Sequence, residues 1–348
     1  MLVSVIVPCY NEEKFITKCL DSLLSQDFPK EEMEILIIDG NSDDRTKEIV
    51  GKYIEKYPFI KLFSNVNRYT PFALNIGIKN AKGEIIVRTD AHADYDRDYI
   101  SKCVANLEKY DADNIGGIQK IVSKKNTLIS KAIAASFPSI FGTGNSYYRT
   151  GSKEPKEVDT VFCGCYKKEI FNKIGFFNEK LFRSQDMELN IRLKRAGGKI
   201  LLIPDIIVRY YPKSDLISFW KHNFVDGIWA IYPLKFVKIP FKFRHLLPFI
   251  FIFSLISFLV AGLFYFFFFK LFLGIILLYL IVNLYFSFTI SLKEKDLRYF
   301  FILPLVFAIR HFGYGLGSIW GIIRLMTNDN PPVGGTNNYP PVGGTNKS

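Results

Sequence analysis

Four apolar runs recur in the first part of the chain: VSVIVP (3–8), MEILIID (33–39), IKLFS (60–64) and GEIIVRTD (83–90). They are rich in Val and Ile and scarcely alternate. Between them, residues 12–25, 43–56 and 70–80 carry apolar positions at helical spacing. Continuous β-branched runs separated by amphipathic helices predict strands buried on both faces of a sheet. The expected fold class is therefore α/β, with a mostly parallel central sheet flanked by helices. In such sheets ligands gather beyond the carboxyl ends of the strands.

The pattern loosens from 111 to 212. Strands are expected at IGGIQKIV (115–122), DTVFCGCY (159–166) and KILLIP (199–204), and helices at 127–137, 169–174 and 186–196. The polar, Gly-rich stretch GTGNSYYRTGSKEPKE (142–157) reads as a loop that is mobile or ordered by a ligand.

After His245 the polar positions almost vanish. Residues 246–269 and 271–292 are each long enough to cross a bilayer, with Lys270 between them, and predict a transmembrane hairpin over 246–292. Residues 299–326 are apolar too, but Arg310 and His311 interrupt them, and glycines stand at 313, 315, 317 and 321. Two readings fit: a third span with its charges buried among helices, or a re-entrant or interfacial helix pair that offers Arg310 to a phosphate. The tail, 327–348, repeats PPVGGTN and is expected to be disordered.

Composition changes this picture in two ways. The 348 residues carry a net charge of +12, which by itself fits nucleic acid, anionic lipid or a phosphorylated substrate. Its distribution decides between them. Between Arg209 and His245 stand seven Lys or Arg against two Asp, so 216–245 reads as a basic juxtamembrane segment. Basic flanks put the hairpin's ends in the cytosol, giving a multi-pass membrane protein with a cytoplasmic domain over 1–215. No nucleic-acid motif is present, so membrane lipids are the expected partners and nucleic acid is not. The five cysteines lack metal-site spacing and read as small buried residues of a reducing compartment. The N-terminal MLVSVIVPCYNEE lacks the basic start of a signal peptide and reads as a buried strand.

Candidate chemistry lies at three strand or helix ends. Asp39 closes the second run and is followed by GNSDD, which makes a turn and helix cap or lets Asp39 accept hydrogen bonds from a base or ribose. Asp90 and His92 follow the fourth run. At i and i+2 beyond a strand they can converge on one divalent ion, Mg²⁺ or Mn²⁺, with Asp94 an alternative second ligand. Such an ion offsets charge on a leaving diphosphate. Gln185 and Asp186 stand at a helix start, where Asp186 serves either as an N-terminal acid or as a general base for an acceptor hydroxyl. Arg192, Arg310 and His311 can meet an acid or phosphate.

VSVIVPCYNEE, IIDGNSDD, ALNIGIKNAKGEIIVRTDAH and GFFNEKLFRSQDMELNIRLKRAG together resemble the family-2 glycosyltransferases with the GT-A fold. Downstream, YYPKSDLISFWKHNFVDGIWAIY and RHFGYGLGSIWG resemble membrane-anchored enzymes of the succinoglycan and exopolysaccharide group. The resemblance implies that Pro8, Tyr10 and Glu12 line a nucleotide pocket and that Asp39 contacts the uracil or ribose. It also implies that Asn75 packs under the nucleotide and that Asp90 contacts it. Asp90 and His92 match the family's D-x-D, and Asp186 its catalytic base. His92 replaces the second Asp, and Gln185 the Glu before the base. The processive signature Q-x-x-R-W is absent from the sequence. The implied activity is inverting transfer of one sugar from a nucleotide-sugar, a UDP-sugar, to a hydroxyl of a lipid-linked saccharide in cell-surface polysaccharide assembly. The alternatives are a polyprenyl-phosphate glycosyltransferase, which needs no base, and an inactive membrane scaffold.

Overall fold

The computed structural model describes residues 2–91, 93–235 and 242–327. His92 and the tail beyond 327 lie outside these residues, as does 236–241 of the juxtamembrane segment. Along the chain the strands are β1 (Val3–Cys9), β2 (Met33–Asp39), β3 (Ile60–Ser64), β4 (Ile85–Arg88), β5 (Asp94–Tyr95), β6 (Asn114–Ile121), β7 (Lys156–Glu157), β8 (Phe162–Lys167) and β9 (Ile200–Tyr210). The helices are α1 (Ile16–Leu24), α2 (Thr46–Lys56), α3 (Thr70–Asn80), α4 (Tyr99–Lys109), α5 (Leu128–Ser136), α6 (Ile140–Thr143), α7 (Tyr147–Thr150), α8 (Ile170–Ile174), α9 (Gln185–Arg195), α10 (Leu216–Ile231), α11 (Phe243–Gly262), α12 (Phe266–Lys293) and α13 (Arg298–Thr327).

Contacts divide the described residues into two units. One holds residues 2–120 and 151–210, the other 121–150 and 211–327. The expected boundary at 215 lies near the third change of unit, after residue 210. The excursion of 121–150 was not expected: α5 to α7 leave the first unit and pack in the second.

In the first unit the strand order is β3-β2-β1-β4-β8-β6-β9-β5, with β7 beside β9. The half built from β1 to β4 is parallel, as the apolar runs predict. Beyond β4 the sheet turns antiparallel at β8, and β6 lies antiparallel to β8. The sheet is thus mixed rather than mostly parallel, because β8 lies between β4 and β6 without a helical crossover of the βαβ kind. Every residue of β1 and β2 is buried. Helix α1 turns Ile16, Cys19, Leu20 and Leu23 into this core, the i, i+3, i+4, i+7 face of an amphipathic helix. Each fully buried Leu or Ile there contributes about 1.5–3 kcal/mol. Register sets Cys9 beside Asp39 and Ile6 beside Arg88, so the carboxyl ends of β1, β2 and β4 form one edge.

In the second unit, α11, α12 and α13 are each long and apolar enough to cross a membrane. The turn between α11 and α12 is 263–265, and Lys270 stands inside α12, not in a connecting loop. Residues 298–327 form one unbroken helix, not a re-entrant pair. The glycines serve close packing rather than bends. A Cβ on Gly227 of α10 would lie 2.0 Å from the Tyr314 carbonyl oxygen, and one on Gly317 of α13 the same distance from that of Phe224. Nor is 216–231 a surface-lying segment, since α10 buries Phe219, Ile228 and Trp229.

Candidate functional site

At the β1–β2 edge two loops are laced together. The Asn11 N–H donates to Ser42 Oγ at 2.9 Å, the Asp43 N–H to Asn11 Oδ1 at 2.8 Å, and the Glu12 N–H to Thr46 Oγ1 at 2.8 Å. Asp39 is buried and shapes this corner. Its Oδ2 accepts from the Ser42 N–H at 2.9 Å and its Oδ1 from Ser42 Oγ at 2.5 Å. Helix α2 begins at Thr46, three residues later than expected, with Asp44 Oδ1 accepting from the Thr46 N–H at 3.0 Å. Pro8 is interior to β1, in register with Ile38, and Glu12 is buried just beyond the strand. Tyr10 lies beneath Arg68, whose guanidinium carbon is 5.4 Å from the ring centroid and whose Nη1 donates to the phenol at 3.3 Å. Arg68 was not foreseen. It sets a cation at this corner from a left-handed backbone position, φ 66°.

A second group lies where β4 ends. The buried Arg88 side chain forms an ion pair with Asp186 and another with Asp90, Nη2 to Oδ1 at 3.3 Å. Burial alone would lower the Arg88 pKa, but the Asp186 and Asp90 carboxylates outweigh it and hold the guanidinium well above its ordinary value. Asp186 stands in the first turn of α9 without being its cap. That position belongs to Ser184, in the left-handed region at φ 61° and with no side-chain capping bond. The Asp186 Oδ1 atom is buried and has no hydrogen-bond partner among the described residues. Gln185 is buried beside it at the helix start.

The backbone at Asp90 is pinned. Its N–H donates to the Tyr95 hydroxyl at 2.7 Å, and the Ala93 N–H donates to its carbonyl at 3.1 Å. The Cys163 thiol, on a residue with φ 50°, approaches Asp90 Oδ2 at 3.7 Å. Burial, then the Asp90 charge, push that thiol well above its ordinary pKa, so it stays protonated and donates. All five cysteines are free and buried, as expected, but Cys163 also touches the site. Residues Arg88 and Cys163 were passed over because each reads as an ordinary strand residue. Only their convergence on carboxylates from other elements marks them.

Several expected site residues are engaged elsewhere. Asn75 does not lie open to a nucleotide. Its Nδ2 donates to the Phe177 carbonyl and to Glu179 Oε1, both at 2.9 Å, and its Oδ1 accepts from the Phe177 N–H at 2.9 Å. It fastens the loop before α9. Arg192 is not available to phosphate either. Its Nε and Nη2 meet Glu188 at 2.6 and 2.7 Å, and the remaining N–H groups meet the carbonyls of Ile174, Gly175 and Phe176. All five guanidinium donors are thereby used. In the second unit, Arg310 lies over the Phe137 ring at 4.1 Å and the Phe219 ring at 5.1 Å and donates to the Gly142 carbonyl at 2.9 Å. His311 bridges the Phe141 carbonyl at 2.8 Å and the Tyr279 hydroxyl at 3.1 Å. Both brace the 137–142 excursion against α12 and α13.

The metal expectation rests on Asp90 and His92, and His92 lies outside the described residues. Among the described residues no three potential ligands gather. Asp94 is held by Lys18, Oδ2 to Nζ at 2.5 Å. The Asp90 carboxylate, with its side chain 20% exposed, and the unsatisfied Asp186 Oδ1 nearby are hard oxygen donors of the kind Mg²⁺ and Mn²⁺ take, so the residues fit such an ion.

Comparisons with known proteins place the chain in a family. The model of the family described as glycosyl transferase family 2 matches residues 4–175. A Methanococcus voltae protein named dolichyl N-acetyl-alpha-D-glucosaminyl phosphate 3-beta-D-2,3-diacetamido-2,3-dideoxy-beta-D-glucuronosyltransferase is 30% identical, over 92% of this chain and 97% of its own. The succinoglycan biosynthesis protein ExoA of Rhizobium meliloti is 26% identical, over 68% of this chain and 76% of its own. Among solved structures, a mannosyltransferase from Pyrobaculum calidifontis in complex with GDP-Man and Mn²⁺ superposes with a TM-score of 0.51 at 22% identity, over 68% of this chain and 65% of that one. At that identity the likeness is one of fold.

Proposed function

We propose, since the chain belongs to glycosyl transferase family 2 and is a glycosyltransferase of GT-A fold, that it moves one sugar at a time, with inversion, from a UDP-sugar to a hydroxyl of a lipid-linked saccharide. The observation that carries this reading is the Asp90–Arg88–Asp186 bridge, which joins two acids from distant parts of the chain at the carboxyl edge of β4. The acceptor class is supported by the Methanococcus relative, whose name gives a dolichyl-phosphate sugar as its substrate.

In this mechanism Asp186 takes the proton of the acceptor hydroxyl as that oxygen attacks the anomeric carbon. Arg88 pairs with Asp186 and fixes its carboxylate in one orientation. The loops joined through Asp39, Ser42 and Tyr10 hold the nucleoside, and Arg68 faces the negative charge of its diphosphate. Asp90 and His92 would hold a divalent ion, Mg²⁺ or Mn²⁺, which supplies charge stabilisation to the departing diphosphate when bound. One base acting on one face gives inversion, and no second carboxylate is needed as a nucleophile. The chain is multi-pass with its catalytic part cytosolic, a reading supported by the three apolar helices and their basic flanks. Labelling the 263–265 turn from outside intact cells tests that orientation, and protection of the turn would reverse it.

A donor screen on membrane fractions, reading released nucleotide and then the lipid product, tests the function. The expected product is an elongated lipid-linked glycan. A lipid carrying one sugar on a monophosphate would instead mean a polyprenyl-phosphate transferase and overturn the hydroxyl-acceptor reading.

A further inference from the structure

A second polar layer lies beside the Arg88–Asp186 pair. Strand β8 runs antiparallel to β4 with Tyr166 opposite Ile86 and Cys165 opposite Val87, so the next step along sets Gly164 opposite Arg88. On its other side β8 pairs Tyr166 with Asn114 of β6. Residues opposite each other share a face of the sheet, so Arg88, Gly164, Tyr166 and Asn114 lie on one face. Gly164 leaves the room that the Tyr166 ring fills. A Cβ there would lie 2.6 Å from Tyr166 Cζ and 2.5 Å from Asn114 Oδ1. The ring therefore leans over Gly164, towards Arg88. Helix α9 covers this face. Asn190, one turn beyond Asp186, accepts from Asn114 Nδ2 at 2.8 Å, and its own Nδ2 donates to Thr160 Oγ1 at 2.9 Å.

Among the described residues of the first unit, every buried side-chain nitrogen or oxygen without a hydrogen-bond partner belongs to Arg88, Asn114, Tyr166 or Asp186. They include two donors, Arg88 Nε and the Tyr166 hydroxyl, and two acceptors, Asp186 Oδ1 and Asn114 Oδ1. Burying four such groups dry would cost free energy at each. A Phe in place of Tyr166 would fill the same space without that cost, so packing does not account for the hydroxyl. Burial, then the Asp186 charge, push the Tyr166 pKa up, so the phenol keeps its proton and donates. Two donors and two acceptors are the complement of one water molecule, which accepts two hydrogen bonds and donates two. Buried waters bridge polar groups of this kind.

We infer that Tyr166 is a positioning residue for Asp186: its hydroxyl and Arg88 Nε donate to one buried water, and that water donates to Asp186 Oδ1 and Asn114 Oδ1. The inference rests on the reading of Asp186 as the base. With Oδ2 held by Arg88 and Oδ1 by the water, the carboxylate cannot turn about its last bond. Each carboxylate oxygen has a second lone pair, so the exposed edge of Asp186 stays open to the acceptor hydroxyl or an ion. Asn190 fixes the helix that carries the base, and Tyr166 fixes the carboxylate itself.

The test uses the full chain in membrane fractions, supplied in turn with UDP-glucose, UDP-galactose, UDP-N-acetylglucosamine and UDP-glucuronate, and reads released UDP. Tyr166→Phe keeps the ring over Gly164 and should fold. It should lower kcat about tenfold, the size of one hydrogen bond to a charged group, and leave the donor KM as it is. Tyr53→Phe, which deletes a phenol bonded to Asp21, should leave kcat unchanged. In an Asp186→Asn background Tyr166→Phe should cost nothing further, because it acts through that carboxylate. Normal kcat in Tyr166→Phe, or a further tenfold loss beside Asp186→Asn, overturns the inference. Normal turnover in Asp186→Asn removes the base and this inference with it, whereas an impaired Asp186→Asn beside a normal Tyr166→Phe overturns the inference and leaves the base standing. A double-mutant cycle of thermal midpoints, on the full chain in detergent, needs no substrate and decides the matter if none of the four donors turns over. Non-additive shifts for Tyr166→Phe and Asp186→Asn support the bridge, and additive ones overturn it.

Discussion

The buried Arg88 guanidinium forms an ion pair with the half-buried Asp186, which links the end of β4 to the first turn of α9. The same guanidinium reaches Asp90. One cation thereby sets the position of both acids on which the chemistry depends.

Asp186→Asn keeps the shape of the side chain and removes the base. Transfer should fall by about 10²–10⁴-fold, the usual contribution of a positioned proton acceptor. Donor affinity should stay as it is, because Asp186 acts on the acceptor. Steady-state kinetics with a parallel donor titration would show this, and near-normal turnover would remove Asp186 from the role.

Arg88→Ala leaves two partly buried carboxylates without the cation they share. The loss should be about 3–5 kcal/mol, typical of breaking a buried pair by deleting one partner. Arg88→Lys keeps the charge but not the planar fork, so it should fold and yet turn over more slowly. Thermal midpoints of the full chain, read beside kcat, separate these effects.

Chelation should suppress transfer, and added Mn²⁺ or Mg²⁺ should restore it. Asp90→Ala should abolish the metal response, and His92→Ala should shift the metal titration to higher concentration. Asp94→Ala should leave that titration in place, since Lys18 already holds Asp94. A large shift in Asp94→Ala alone would move the second ligand there.

Glu34 gives a pH signature outside the site. Burial alone would raise its pKa. Hydrogen bonds from Lys61, the Lys82 N–H and Ser4 outweigh burial and hold the carboxyl below its ordinary 4.5. A depressed folded pKa stabilises the protein fully above the unfolded value and loses that contribution as pH falls through the folded one. Wild type should therefore melt above Glu34→Gln by a constant margin from neutral pH down to about pH 5, and the margin should shrink below that. A margin that widened on acidification would contradict the assignment.

Gly317→Ala should loosen α10 from α13, because the added carbon would meet the Phe224 carbonyl carbon and oxygen. Overpacking of this kind costs about 1–3 kcal/mol. A thermal melt in detergent checks it, with Gly274→Ala as a neutral comparison, since a Cβ there meets nothing within 4 Å.

The parallel half of the sheet was legible in the chain because β1, β2 and β4 are buried on both faces and read as unbroken apolar runs, with the half-buried β3 following the same rhythm. The antiparallel half was less so. Strands β5 and β7 are two residues long, and β9 continues through Pro204, so no run marks them fully. Helix α4 shows Ile100, Cys103, Val104 and Leu107 at helical spacing and could have been read. Helix α10 was hidden by the basic stretch around it, which drew attention to charge rather than to its buried face. At the site, Asp90 and Asp186 stood out by type and position, whereas Arg88 did not. Its role is set by partners that only the fold brings near.

The excursion of 121–150 has a practical side. The chain passes from one unit to the other three times, after residues 120, 150 and 210. A stop codon near 215 would therefore not release a soluble catalytic fragment. It would strand Phe137 and Ile133 without the helices that cover them, and such a fragment should aggregate. Harvesting the catalytic unit alone would require replacing 121–150 with a short polar linker as well as removing the C-terminal helices.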